Sequence, residues 1–320
     1  MSGLHLFLAA AALLGAALAA VWHVRPDSVR PWLLRLNRFT AGLREHTLTV
    51  DRHRVRCLVR GVGGPAADEV TVVLLHGIFA EKDHWVDFVR ALPRRQRVVV
   101  PDLPGFGQSD RLDAARYGYA EQLQRLEALL DALGIGKVHL AGSSMGGTLA
   151  ALFALRHPQR VGSLAFIGAP HGLRSAVPSP TDRLIDGGMQ PLIASDAAGF
   201  EALLQRLFER RPWLPYPVLQ AARREALARA PSNRRLWREH VADRYRLHDC
   251  IHGLRTPLLA LWGRHDRVFD VSGIEVLRAQ LPDADLQVLE GVGHLPMMET
   301  PTLSARLYAR FLAALRGATA

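Results

Sequence analysis

The chain predicts an α/β fold, a mostly parallel eight-stranded sheet with helices on both faces, and three observations carry that reading. Short β-branched or aliphatic runs near Leu48, Val55, Val72, Val99, His139, Ala165, Leu259 and Val288 alternate with helical periodicities over 83–92, 120–133 and 145–157. Parallel neighbours need a crossover, and a helix supplies it. Several of the runs, Val70 to Leu75 among them, are β-branched and aliphatic throughout, as strands buried on both faces are. The residues suited to chemistry all follow strand ends, where open α/β sheets place their sites. The two opening strands are expected to be antiparallel.

The first 24 residues contain no Lys, Arg, Asp or Glu, and Leu6 to Val21 is Leu/Ala-rich. About 20 helical residues at a 1.5 Å rise cover the roughly 30 Å hydrocarbon core of a bilayer. Residues 1–24 are therefore expected to be a retained single-pass anchor in the inner (cytoplasmic) membrane. A cleaved signal peptide fits less well, because the amino end lacks Lys and Arg and the apolar run is longer than usual. In residues 25–45, Pro26 and Pro31 are expected to bracket a turn. Val29, Trp32, Leu33, Leu36, Phe39 and Leu43 then recur at three- and four-residue steps, with Arg30, Arg35, Arg38 and Arg44 between them. That spacing predicts an amphipathic helix along the headgroup layer, apolar side down and arginines toward phosphates.

The run Lys137 to Ala141 leads directly into Gly142-Ser143-Ser144-Met145-Gly146. A serine between two glycines, on a tight turn from strand to helix, is held in strained backbone with its hydroxyl above the sheet. The earlier buried run ends in His76-Gly77-Ile78-Phe79, a strand-end loop placed to supply a backbone N–H to a developing oxyanion. Ile78 and Met145 are the two candidate donors, and His76 is read as shaping the turn by hydrogen bonding. Downstream, Gly263-Arg264-His265-Asp266 and Gly291-Val292-Gly293-His294 each follow a strand. Asp266 is the preferred acid over Asp270 because it lies nearer the strand end. Ser144, Asp266 and His294 thus form a candidate nucleophile, acid and base.

From His171 to Cys250 the alternation stops, and Leu184 to Ile193, Phe200 to Phe208 and Val218 to Ala230 look helical between Pro-rich breaks. A helical cap over 171–250 is expected after the sixth strand, inserted into a core spanning 46–170 and 251–320. Phe79, Phe208, Trp213, Leu214 and Tyr216 are the candidate residues for an apolar acyl channel. A final helix from Thr302 to Leu315 follows Pro301.

Composition removes other classes. The formal charge is +10, but Lys82 and Lys137 are the only lysines, and no Arg-rich run interleaved with aromatics marks a nucleic-acid site. Cys57 and Cys250 imply no disulfide framework, and no Cys/His cluster has metal-ligand spacing. Neither a metal nor an organic cofactor is called for.

The segments His76 to Trp85, Pro101-Asp102-Leu103-Pro104-Gly105-Phe106-Gly107, Gly142 to Gly147, Leu261 to Asp266 and Asp270 to Gly273 together resemble the α/β-hydrolase superfamily. Within it the chain is similar to monoacylglycerol-lipase-type enzymes and, more closely, to bacterial inner-membrane lipases with phospholipase A activity. The likeness extends from about Gly42 to Leu315. It implies the α/β-hydrolase fold, a serine ester hydrolase acting on membrane-derived acyl esters, and the same triad and oxyanion donors. A C–C bond hydrolase, a cofactor-free haloperoxidase and a catalytically silent lipid-binding protein remain open on this fold, as does a homodimer. The expected partners are a fatty-acyl ester and the bilayer.

Overall fold

The structure, a computed structural model, describes residues 3–61 and 70–317. The first two residues of the expected anchor, 62–69 of the first core segment and the last three residues of the second lie outside it. The strands are β1 (Arg44–Val50), β2 (His53–Arg60), β3 (Thr71–Leu75), β4 (Val98–Pro101), β5 (Val138–Ser144), β6 (Val161–Pro170), β7 (Leu258–Gly263) and β8 (Asp285–Leu289). They form one eight-stranded sheet in the order β1-β2-β4-β3-β5-β6-β7-β8. Strand β2 is antiparallel to both β1 and β4, and the remaining neighbours are parallel.

The helices up to β6 are α1 (Gly3–Val24), α2 (Pro26–Thr40), α3 (Val86–Ala91), α4 (Tyr119–Ala132) and α5 (Met145–Arg156). Between β6 and β7 lie α6 (Pro180–Asp186), α7 (Ala197–Leu207), α8 (Tyr216–Ala242) and α9 (Arg246–Cys250), the expected helical insertion. Helices α10 (Gly273–Gln280), α11 (Pro296–Glu299) and α12 (Pro301–Gly317) complete the chain.

Strand periodicity sorts the core into two layers. Val73 and Leu75 face α4, α5 and α10 through Leu126, Leu149 and Leu277, while Val72 and Leu74 face α3 and α12 through Phe88 and Tyr308. Because both faces are covered, β3, β5 and β7 are buried along their whole length.

Three local expectations need correction, and the first is the helix expected over Leu184 to Ile193: the helix there is α6, which ends at Asp186 with Gly187 at its C-cap. Helix α2 starts at Pro26 and continues through Pro31, so these prolines do not bracket a turn. Proline suits the first helical position, and Pro31 removes only one early hydrogen bond. The cap helix expected to stop at Ala230 runs on through Pro231 to Ala242. Pro231 cannot donate to the carbonyl one turn back, but buried packing of Ala230, Asn233, Leu236 and Trp237 holds the helix on both sides of it.

The amphipathic reading of α2 is also reversed in part. Arg38 is buried, donating Nε and Nη2 to the two Asp83 carboxylate oxygens at 2.7 and 2.6 Å. Arg30 pairs with Glu81 at 3.6 Å and Glu225 at 3.4 Å. These arginines tie α2 to the protein, and the exposed side instead carries Trp32, Leu36 and Phe39, at 69, 61 and 77 %. Helix α1 spans 22 residues, several of whose side chains are outside the described set. Among the described residues no helix is long and apolar enough to cross a membrane.

Candidate active site

Ser144 ends β5 and precedes α5 with φ 54° and ψ −123°. An L-residue holds that backbone only under constraint. The glycines make it possible: a Cβ on Gly142 would run into the Gly146 backbone, and one on Gly146 into the Leu75 and His76 carbonyls. Three backbone segments therefore meet without side chains between them, and Ser144 stands over the sheet edge.

The loop after β3 is fastened from below. His76 Nδ1 donates to the Gly77 carbonyl at 2.8 Å, and Nε2 accepts the Leu103 N–H at 3.0 Å. Burial keeps this imidazole's pKa below its ordinary value, so it serves as a neutral brace. Lys82, fully buried, donates Nζ to Asp102 Oδ2 at 2.7 Å and to Gln108 Oε1 at 2.8 Å. Asp102 also accepts the Lys82 and Gln108 N–H groups at 2.7 and 2.8 Å. Within this frame the Ile78 N–H meets no protein acceptor among the described residues. Met145 opens α5, where helical N–H groups lack intrahelical partners. Both residues line the same cavity as Ser144.

His294 Nδ1 donates to Asp266 Oδ2 at 2.8 Å, and both side chains are buried. Asp266 Oδ1 accepts the Val268 and Phe269 N–H groups at 2.7 and 2.9 Å, which fixes the carboxylate. Asp270 instead caps its own turn through the Ser272 N–H at 2.9 Å, so the structure separates the two acids in favour of Asp266. Donation from Nδ1 leaves His294 Nε2 as the basic nitrogen. Gly168 lies against both the His294 backbone and Ser143, and Phe269 packs edge-on to the His294 ring at 5.4 Å while lining the Ser144 cavity. The Ser144 hydroxyl itself makes no hydrogen bond to His294 among the described residues.

The cavity over Ser144 is walled by Ile78, Met145, Ile185, Leu192, Trp237, Val268 and Phe269, with Tyr119, His171 and His240 among its polar members. None of the five expected channel residues lines it. Phe208 is drawn into the core beside Leu289 and Val292, and its carbonyl accepts Arg267 Nη1 at 3.1 Å. Trp213 is 83 % exposed, in the Pro-rich connection before α8. Leu214 is half-buried in the same connection, and Tyr216 turns its ring toward His23 at 5.0 Å. Phe79, at φ 58°, stacks on Trp237 and lines a neighbouring cleft with Glu81, Arg111 and Glu225.

The wall instead comes from the part of α8 beyond Pro231, where Trp237, His240, Val241 and Arg244 follow one another at three- and four-residue spacing or in the adjoining turn. That periodicity was available in the sequence, continuing from Asn233 and Leu236. Ending the helix at the proline hid it. His171 is a second cavity histidine: its Nδ1 meets the Tyr119 hydroxyl at 2.9 Å, and burial pushes its pKa down to about 3.

The family described as alpha/beta hydrolase fold matches residues 70–301, a span that contains every residue of this site. The chain belongs to that family. It is 33 % identical over 264 residues to the monoacylglycerol lipase abhd6-B of Xenopus laevis, covering 79 % of this chain and 78 % of the relative. It is 26 % identical to Lipase 1 of Psychrobacter immobilis, over 79 % and 80 % of the two chains. Among solved structures it superposes on a membrane phospholipase A, a bacterial virulence factor, with a TM-score of 0.87 and 36 % identity, covering 97 % and 98 % of the two chains.

Proposed function

We propose that the protein is a serine ester hydrolase that cleaves acyl esters of lipids at a membrane. The observation that carries it is Ser144 in strained backbone at the elbow, sharing one apolar cavity with Ile78 and Met145, a cavity also lined by Phe269, which packs on the His294 ring of the His294–Asp266 pair. In this reading His294 Nε2 takes the Ser144 proton as Oγ attacks the ester carbonyl. Asp266 holds the imidazolium, and the Ile78 and Met145 N–H groups stabilise the oxyanion. The alcohol leaves with the proton from His294, and water then attacks the acyl-enzyme by the reverse path, releasing the fatty acid. The apolar cavity walls and the lipase and phospholipase relatives support a lipid acyl chain as the group transferred.

Membrane attachment is supported by the N-terminal run without Lys, Arg, Asp or Glu and by the exposed Trp32, Leu36 and Phe39 of α2. An apolar ridge of this kind is suited to an interface rather than to water. The site is tested by fluorophosphonate labelling together with a panel of short esters, monoacylglycerols, lysophospholipids and phospholipids. Labelling and hydrolysis by the wild type, both abolished in Ser144→Ala, are expected. A folded wild type that neither labels nor cleaves any ester would make the protein a binder. Attachment is tested separately: full-length protein released by alkaline carbonate would not be integral.

A further inference from the structure

His240 reaches the Ser144 cavity from α8 and is 3 % exposed, yet neither of its ring nitrogens has a hydrogen-bond partner. The Tyr117 backbone is close enough to act on the ring electrostatically but not in hydrogen-bonding geometry. The ring is held in place by Tyr119, edge-on at 5.1 Å, and by Phe106 at 6.4 Å.

Several other polar groups of the wall are paired within the protein. The Tyr119 hydroxyl meets His171 at 2.9 Å, Thr181 Oγ1 donates to the Arg267 carbonyl at 2.7 Å, and Arg244 pairs with Asp182 and Asp186 at 2.5 and 2.6 Å. A buried imidazole without partners costs stability that leucine or phenylalanine in the same place would not. Packing alone therefore does not account for it.

We propose that His240 is a specificity-determining residue that hydrogen-bonds a hydroxyl of the ester substrate inside the Ser144 cavity. The chemistry of the ring selects the partner. Desolvation pushes its pKa down to about 4, so at neutral pH one nitrogen donates and the other accepts. A hydroxyl offers the complementary acceptor and donor. A phosphate or carboxylate would call for a cation, which this ring is not. The hydroxyl can sit on the alcohol part of the ester, as in a glyceryl ester, or on the acyl chain. This proposal rests on the ester-hydrolase reading above.

The test compares kcat/KM for glyceryl octanoate against propyl octanoate, and for propyl hydroxyoctanoate against propyl octanoate, in the wild type, H240L and H240N. One of the two hydroxylated esters is expected to be preferred by about tenfold in the wild type, the effect of one buried hydrogen bond. In H240L the ratio of kcat/KM between the two esters of that pair collapses to about one, with an equal or higher thermal midpoint. H240N, which keeps a donor and an acceptor, retains part of the preference and decides the matter should H240L not fold. Whichever pair responds identifies the position of the hydroxyl. Preferences unchanged by H240L, no preference in the wild type, or equal loss of all three esters overturns the proposal. If the wild type cleaves none of the esters while folded, the ester-hydrolase reading fails and this one with it.

Discussion

The Lys82–Asp102 pair beneath the loop that follows β3 offers a test of what holds that loop in place. Both side chains are fully buried and Nζ lies 2.7 Å from Oδ2. Coulomb attraction at that separation is on the order of 6 kcal/mol at an effective dielectric of about 20. Desolvation takes back several kcal/mol per ion, so the intact pair contributes little net stability while either half alone is costly. Partial compensation is also present. Asp102→Asn leaves Lys82 with Gln108 and, at 3.7 Å, Asp83. Lys82→Met leaves Asp102 with its two backbone donors. Each single variant is therefore expected at the low end of the range for a broken buried pair, about 3 kcal/mol. The double variant is expected to cost no more than about 2 kcal/mol, a coupling of about 4 kcal/mol. Urea unfolding at constant m-value measures all three, with ester hydrolysis as a readout of loop position. Single variants costing under about 1 kcal/mol, or a double equal to the sum, would refute the reasoning.

Three further outcomes follow from other contacts. Burial pushes His139 and His240 to a pKa of about 4, so below about 6.5 the unfolded chain takes up protons that the folded chain refuses. Stability then falls as pH falls, by about 2 kcal/mol per histidine at pH 5, and a thermal midpoint flat from pH 7 to 5 would contradict this. Arg38→Leu leaves the Asp83 carboxylate with only the more distant Lys82, at 3.7 Å, and should cost about 3 kcal/mol in urea unfolding, with Arg38→Lys recovering only part because it cannot reproduce the two-pronged contact. Gly146→Ala would drive a methyl into the Leu75 and His76 carbonyls and should abolish activity. Gly136→Ala, with open space at its Cβ, should leave stability within about 0.5 kcal/mol, as paired activity and unfolding measurements would check.

Much of the molecule was legible beforehand. All eight strands fall where β-branched and aliphatic runs predicted them, most plainly in β3, β4, β5 and β7, which are buried along their whole length and so are largely apolar. The position of Ser144 was legible because only glycine fits two residues either side of that turn. The acyl-channel residues were not. Aromatic residues near helix ends look alike in sequence whether they pack, as Phe208 does, or face water, as Trp213 does. The cap helix was cut short because a proline is a strong local signal, and the packing that overrides it comes from distant segments.

The sequence by itself determined the strand and helix order, the serine between its two glycines at the end of β5, the candidate order Ser144, Asp266 and His294, and an N-terminal run without Lys, Arg, Asp or Glu. These depend on local patterns: periodicity, glycine placement and the absence of charge. Only the tertiary structure decided that Arg38 turns inward to Asp83 while Trp32, Leu36 and Phe39 face out. It also decided that His240 rather than Trp213 walls the cavity. Those facts depend on which surfaces meet after the sheet closes, and residues far apart in the chain carry no local mark of that meeting.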